Sequence, residues 1–272
     1  MKLSLFSTLR GYRKEYLPKD IFSGIIIAAV SIPISMGYAQ ISGIPAVYGL
    51  YGSVLPILLF ALFSTSRQFI FGVDAAPAAI VGGALSTLSI AAESEAAMDY
   101  VPAIALFAGL WLFIFFLLHA DKIVDFISTP VMGGFISGIA VTIILMQIPK
   151  LMGSPAGSGE LLELAEHIFA AAKNISWLSL FMGLGTLVLI RTFKKLAPKF
   201  PMAIVIMALG VLSTIIFHVD EKGVVLLQSV ERGLPSLMIP DFGNIDLTQA
   251  AGRGLMVAVV IMAETLLAEN TF

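Results

Sequence analysis

The chain contains no cysteine and little charge. Without a thiol it can form no disulfide and no thiolate metal site. Charged residues make up 12% of its 272 positions, about half of the roughly 25% usual in a soluble domain. It also has only three histidines and two tryptophans. No metal-ligand spacing and no phosphate-cradling loop occurs, and Trp111 and Trp177 belong to no stacking pattern. These absences argue against a metalloenzyme, a nucleotide-dependent enzyme and a nucleic-acid binder, so neither cofactor nor catalytic residue is expected. What is abundant is apolar. Hydrophobic residues reach 58% and the mean hydropathy is +0.96, which places the chain among polytopic membrane proteins. The first apolar run starts only at Ile21 and is of spanning length, so no segment reads as a cleavable signal peptide.

Apolar stretches of about 20 residues, the length that crosses a bilayer as a helix, fall at 21–42, 45–64, 69–90, 101–120, 126–148, 174–192, 200–217 and 248–268. Pro33 and Gly37 interrupt the first, and Gly72, Asp74 and Pro77 the third. Segment 160–172 is amphipathic, too short and too acidic to span, and is expected to lie on the outer surface. Glu163, Glu166 and His167 are read there as a solvated face. His119 and His218 sit at span ends and are assigned no role.

The 16 Lys and Arg residues set the orientation, because cytoplasmic loops carry an excess of them. Lys2, Arg10, Arg13, Lys14, Lys19, Arg67, Lys122, Arg191, Lys194, Lys195 and Lys199 fall on one side of the eight-span reading. Lys150, Lys173, Lys222, Arg232 and Arg253 fall on the other. The N-terminal segment 1–19 is therefore expected in the cytoplasm of a cell-membrane protein. The acidic loop with Glu93, Glu95 and Asp99, and the 218–246 connection, are expected outside.

Two acids lie where charge is costly. Glu264 sits within Leu255-Met-Val-Ala-Val-Val-Ile-Met-Ala-Glu264-Thr-Leu-Leu-Ala268, and Asp74 within Phe71-Gly-Val-Asp74-Ala-Ala-Pro77. A carboxylate at the centre of a spanning helix costs roughly 2.5–3.5 kcal/mol on insertion scales, and such residues usually mark substrate or proton paths. Pro77 suits the first turn of a helix, while 69–73 are β-prone. The third span is thus expected to be extended over 69–74, with a helix beginning between Ala75 and Pro77. Irregular backbone at membrane depth survives only where protein or a water-filled cavity surrounds it. A helix starting there aims free N–H groups and a positive dipole at that cavity, as discontinuous helices do in many secondary transporters. Two roles stay open for Asp74, helix cap and site lining, and they can coexist. Two also stay open for Glu264: a carboxyl paired across helices, or a group that couples protons or contacts substrate. Gly134 and Gly138 form a small-xxx-small pattern read as helix packing, and Arg67 is read as an interfacial anchor.

Longer motifs carry a resemblance. Pro45-Ala-Val-Tyr-Gly-Leu-Tyr-Gly-Ser-Val-Leu-Pro56, followed by Phe63-Ser-Thr-Ser-Arg67-Gln-Phe-Ile-Phe-Gly72, resembles the signature of the SulP sulfate-permease family of anion transporters. So do Asp20-Ile-Phe-Ser-Gly24 and Ile32-Pro33-Ile-Ser-Met-Gly-Tyr38-Ala39 before it. Thr129-Pro-Val-Met-Gly-Gly-Phe-Ile-Ser-Gly138, Gln147-Ile-Pro-Lys-Leu-Met-Gly153, Gly233-Leu-Pro-Ser-Leu-Met-Ile-Pro240 and Ala263-Glu264-Thr-Leu-Leu267 follow in the family's order.

The resemblance implies an all-α fold of two inverted seven-span repeats, like that of uracil permease, with half-helical spans three and ten. It implies a small inorganic or organic anion, such as sulfate or bicarbonate, held between those two half helices and flanked by spans one and eight. Transport would be secondary active, by symport with H+ or Na+ or by exchange, in a homodimer. Carried onto this chain, the substrate site is expected at Tyr38, Asp74, Ala75, Ala76 and Glu264, with Glu264 and Asp74 in ion coupling. Where many members have Gly-Pro and a glutamine, this chain has Gly72-Val73 and Ile34. Residues 20–272 are expected to form one repeat plus the first span of the second, without spans nine to fourteen or a STAS domain. Alone, such a piece is expected to insert but to move no anion. The rival readings are a nucleobase or xanthine permease of the same fold and a non-transporting fragment.

The cysteine-free chain makes the topology testable. In intact cells, an impermeant thiol reagent is expected to label Ser94→Cys and to leave Ser4→Cys unlabelled. The reverse pattern would overturn the orientation.

Overall fold

The computed structural model describes residues 11–64, 71–119, 129–157, 161–196, 202–226, 233 and 239–269. Lys2, Arg10, Arg67, Lys122, Lys199 and Arg232, residues 69–70, and most of the 233–240 stretch lie outside the described residues. Among the described residues the regular structure is helical, and there are no strands. The helices are α1 (Leu17–Ile41), α2 (Ala46–Phe63), α3 (Ala75–Thr87), α4 (Glu95–Leu117), α5 (Thr129–Leu151), α6 (Leu161–Lys173), α7 (Trp177–Leu196), α8 (Met202–Phe217) and α9 (Leu247–Glu269), with short 3-10 turns at Lys14–Tyr16 and Phe242–Asn244. Six described helices are long and apolar enough to cross a membrane, and α3 and α8 are shorter apolar helices. Each of the eight expected spans has its helix.

The largest boundary difference is at α4, which begins at Glu95 rather than at the expected 101. Ser94 caps it, its Oγ accepting from the N–H of Ala97 at 3.2 Å. Glu95 adds a carboxylate to the first turn, where the helix dipole favours it. Such a polar first turn is invisible to an apolar window. His119 and His218 take positive φ (54° and 46°) just past the ends of α4 and α8. Their backbones therefore end helices in the left-handed conformation usually left to glycine.

The chain divides into two compact units. One comprises Met1–Tyr12, Ser35–Ile143 and Val230–Phe272, and the other Arg13–Ile34 and Ile144–Ser229. In the first unit α9 packs against α4 and α3. Their shared core contains Val81, Leu85, Ala103, Ile104, Val257 and Ala258. The helices approach closely because the contacts are small, the pattern of helices packed in lipid. A Cβ on Gly254 would lie 2.6 Å from Phe107 Cβ and 2.9 Å from the backbone N of Ala108. Gly49 faces the carbonyl of Ser35, and Gly82 that of Ile41, with no room for a Cβ. Two hydrogen bonds pin α4 along α9: Tyr100 Oη donates to the Asp246 carbonyl at 3.2 Å, and Trp111 Nε1 to the Ala251 carbonyl at 3.0 Å.

Asp246 precedes α9, and its carboxylate accepts from the N–H groups of Thr248 and Gln249 and from the Gln249 side chain. The bonds from Gln249 hold this carboxyl below the usual Asp range. A depressed folded-state pKa contributes stability above the ordinary Asp range, and that contribution is lost as pH falls through the folded value.

In the second unit α7 and α8 form a helical pair. The start of α7 is tied to the turn after α5 by a bond from the N–H of Ser176 to the Met152 carbonyl at 2.9 Å.

The α4–α9 contact gives a direct check. Gly254→Ala is expected to destabilise the protein by about 1–3 kcal/mol, because the obstacle is backbone as well as side chain. Gly185→Ala, with open space around it, is expected to change little. Thermal unfolding in detergent compares the two.

Candidate functional site

The site is built where α3 starts. Phe71 to Asp74 are not helical, and Asp74 has extended dihedrals, φ −125° and ψ 148°. The helix begins at Ala75, as the sequence led one to expect. The first N–H groups of a helix have no partner within it, so each one here is informative. That of Ala75 donates to Asp74 Oδ1 at 2.5 Å. Pro77 has none. That of Ala78 donates to the Asp74 carbonyl at 3.4 Å. Ala76 is the residue left, with no hydrogen-bond acceptor for its N–H among the described residues. The side chains of Ala75 and Ala76 are buried, so these two residues offer backbone rather than side chain.

α3 has 13 residues, about 20 Å at 1.5 Å per residue, too short to cross a hydrocarbon core of about 30 Å. At least one of its ends therefore lies within the thickness that the longer helices span.

Asp74 meets Glu264. The two carboxyls lie close enough to interact electrostatically, although one belongs to α3's cap and the other to the last third of α9. Glu264 is half-buried, and its Oε2 is buried with no hydrogen-bond partner among the described residues. Tyr38, half-buried on α1, lies within electrostatic reach of Asp74. Tyr38, Asp74 and Glu264 thus converge on one helix start, and the 71–74 break puts the two alanines beside them. All five residues belong to the same compact unit.

Arg253 is not part of this cluster: it lies on α9, 11 residues and about 16 Å of helix before Glu264, within electrostatic reach of Tyr100, and no ion pair or hydrogen bond engages it among the described residues.

A helix that starts within the apolar thickness presents unpaired N–H groups and a positive dipole end, the feature that discontinuous helices supply in many transporters. Comparison with known proteins specifies it further. Residues 17–272 match the Sulfate permease family, and the chain belongs to that family. It is a multi-pass membrane protein of a transporter family, not of an enzyme family. Sulfate transporter 4.1, chloroplastic, of Arabidopsis thaliana is 30% identical over 284 residues, covering 98% of this chain and 41% of that protein. The transmembrane domain of the cyanobacterial bicarbonate transporter BicA superposes with a TM-score of 0.75 at 20% identity, over 92% of this chain and 64% of that one. SLC26A9 gives a TM-score of 0.77 at 18% identity, over 97% and 46%. These structural likenesses establish the inverted-repeat transporter fold. The chain spans less than half the length of the curated relatives it matches.

The capping role of Asp74 can be measured apart from any transport. Asp74→Ala is expected to cost about 0.5–2 kcal/mol, the range for loss of an N-cap acceptor, whereas Asp74→Asn should retain most of it. Thermal unfolding of the two variants in detergent separates the outcomes.

Proposed function

We propose that the protein is a secondary transporter of small anions, such as sulfate or bicarbonate, with its substrate held at the start of α3. The observation that carries this reading is the meeting of Asp74 and Glu264 beside the N–H of Ala76, which has no acceptor among the described residues. A helix N-terminus attracts an anion through exposed N–H groups and the aligned backbone dipoles. Ala76 supplies the donor, and Tyr38 supplies an aromatic wall with a hydroxyl. Membership of the Sulfate permease family supports the substrate class.

The acids supply the coupling. An ionised carboxylate only accepts hydrogen bonds. Two adjacent carboxyls can share a hydrogen bond only when at least one proton sits on the pair. With one proton the pair carries one negative charge, and without it two, directly beside the anion site. Proton occupancy thus sets how strongly the site repels its substrate, and a proton taken up with the anion is symport. Glu264 Oε2, buried and without a hydrogen-bond partner among the described residues, is the atom at which a proton is received. Tyr38, Asp74, Ala75 and Ala76 are substrate contacts in this reading, and Glu264 and Asp74 the coupling pair. The cytoplasmic placement of the N-terminus and assembly as a homodimer belong to the same proposal.

The test is uptake of radiolabelled sulfate and bicarbonate across a pH series in cells expressing the intact gene. Glu264→Gln is nearly isosteric and removes only the titratable group. It is expected to insert normally and to lose either the pH dependence of uptake or uptake itself. Wild-type rates with an unchanged pH profile would reduce Glu264 to a structural carboxyl.

A further inference from the structure

We infer that Gly49 of α2 and Gly82 of α3 are positioning residues that set the distance of Tyr38 from the start of α3. The inference rests on the reading of that helix start as the anion site, and it adds what fixes the aromatic wall there.

The turn that carries Tyr38 is gripped at both ends, backbone against backbone. Gly49 lies against the carbonyl of Ser35, three residues before Tyr38, and a Cβ on it would also lie 3.0 Å from the Met36 backbone N. Gly82 lies against the carbonyl oxygen of Ile41, three residues after Tyr38, and a Cβ on it would lie 3.2 Å from the Ile41 carbonyl carbon. About 9 Å of helix thus separates two contacts made by two different helices, with Tyr38 midway. Ser35 and Ile41 are buried, and all these residues belong to one compact unit. A flexible side chain can swing away from an added methyl, but here the obstacles are main-chain atoms, so the helices themselves must shift.

The same two helices hold the other wall of the site. A Cβ on Gly52, one turn after Gly49 on α2, would lie 3.2 Å from Val73 Cγ1. Phe60, farther along α2, stacks on Phe71 with ring centroids 5.6 Å apart. Phe71 and Val73 belong to the non-helical run that ends in Asp74. Gly49, Gly52 and Phe60 share one side of α2, at helical spacing. That side therefore touches both the Tyr38 turn and the break before α3.

α3 completes the frame. Ile41 meets Gly82, while Tyr38, three residues earlier on α1, is within electrostatic reach of Asp74, eight residues earlier on α3. The two helices therefore run in the same sense. Helical side chains lean toward the N-terminus of their own helix, so Tyr38 leans from the Gly82 contact toward Asp74. The end of α1 is tied down as well, because the N–H of Glu93, just after α3, donates to the Gly43 carbonyl at 2.8 Å. Among the described residues the Tyr38 hydroxyl makes no hydrogen bond that could hold it. Its place is set by where the backbones touch.

Gly83 supplies the control. It is the next residue on α3, and a Cβ on it meets nothing within 4 Å. Gly83→Ala makes the same chemical change without touching α1. The first measurement needs no transport. Tyr38→Cys and Asp74→Cys are combined in this cysteine-free chain, in membranes, and bridged with a short bifunctional methanethiosulfonate. The rate of bridging is expected to fall severalfold when Gly82→Ala or Gly49→Ala is added and to stay unchanged with Gly83→Ala. The two glycines lie on different helices, so either variant that inserts decides the matter. Equal rates with all three substitutions would overturn the inference.

The second measurement is uptake of radiolabelled sulfate and bicarbonate in cells expressing the intact gene. Gly82→Ala is expected to raise KM severalfold with little change in the maximal rate per inserted molecule, and Gly83→Ala to leave both unchanged. In a Tyr38→Phe background the rise is expected to shrink, because the hydroxyl it displaces is gone; such non-additivity marks residues that act through one another. A rise of equal size in both backgrounds would mean that Gly82 acts elsewhere, and would overturn the inference. Wild-type KM in Tyr38→Phe alone would instead remove the Tyr38 hydroxyl from the anion site. That is a failure of the functional reading, and the bridging rates would still decide whether the glycines set the position of Tyr38.

Discussion

A backbone N–H at membrane depth has no bulk water to bond, and the start of α3 is arranged around that constraint. Each of its first donors is dealt with differently. Asp74 takes one through its side chain and one through its carbonyl, Pro77 removes one, and Ala76 keeps its own. Non-helical backbone over 71–74 would be unstable against lipid, so this segment needs protein or water beside it. The packing of α3 and α9 and the contact of Glu264 with Asp74 provide part of that surrounding. The break in the third span and the acid in the eighth are two halves of one arrangement.

The helices themselves gain little from amphipathicity. In lipid there is no hydrophobic drive to press one helix on another, and association rests on close fit and a few polar bonds. Gly49, Gly82 and Gly254 let backbones touch, and Tyr100 and Trp111 lock α4 to α9. Asp74 and Glu264 are held by this frame, because a small shift of α9 against α4 would move Glu264 relative to α3. Fine placement of the acid thus depends on residues with no chemistry of their own.

Much of this was legible in the sequence, for reasons that differ by element. The spans were readable because bilayer thickness sets a length that few other constraints mimic. The start of α3 was readable because Gly72, Asp74 and Pro77 each restrict the backbone in a known way. α6 was readable from its apolar and acidic periodicity. The first turn of α4 was not, since Ser94 and Glu95 are polar and the apolar count passed over them. Pairing between Asp74 and Glu264 was also hidden. Nearly two hundred residues separate them, and nothing local to either one names the other. The same holds for the bonds of Tyr100 and Trp111, which end on backbone carbonyls and leave no trace in side-chain pattern.

Asp74 serves two partners at once, and this gives the proposed coupling a physical direction. As a cap it accepts from the N–H of Ala75, and negative charge strengthens both that bond and its interaction with the helix dipole. A proton shared by the pair is therefore better lodged on Glu264, which has no N–H to hold and whose Oε2 is without a partner among the described residues. On this reading the roles of the two acids are unequal. Asp74 keeps the half helix in shape in every state, and Glu264 alternates between protonated and free. The order of events follows: protonation of Glu264 lowers the negative charge at the start of α3, the Ala76 donor becomes available to an anion, and loss of the proton on the other side expels it.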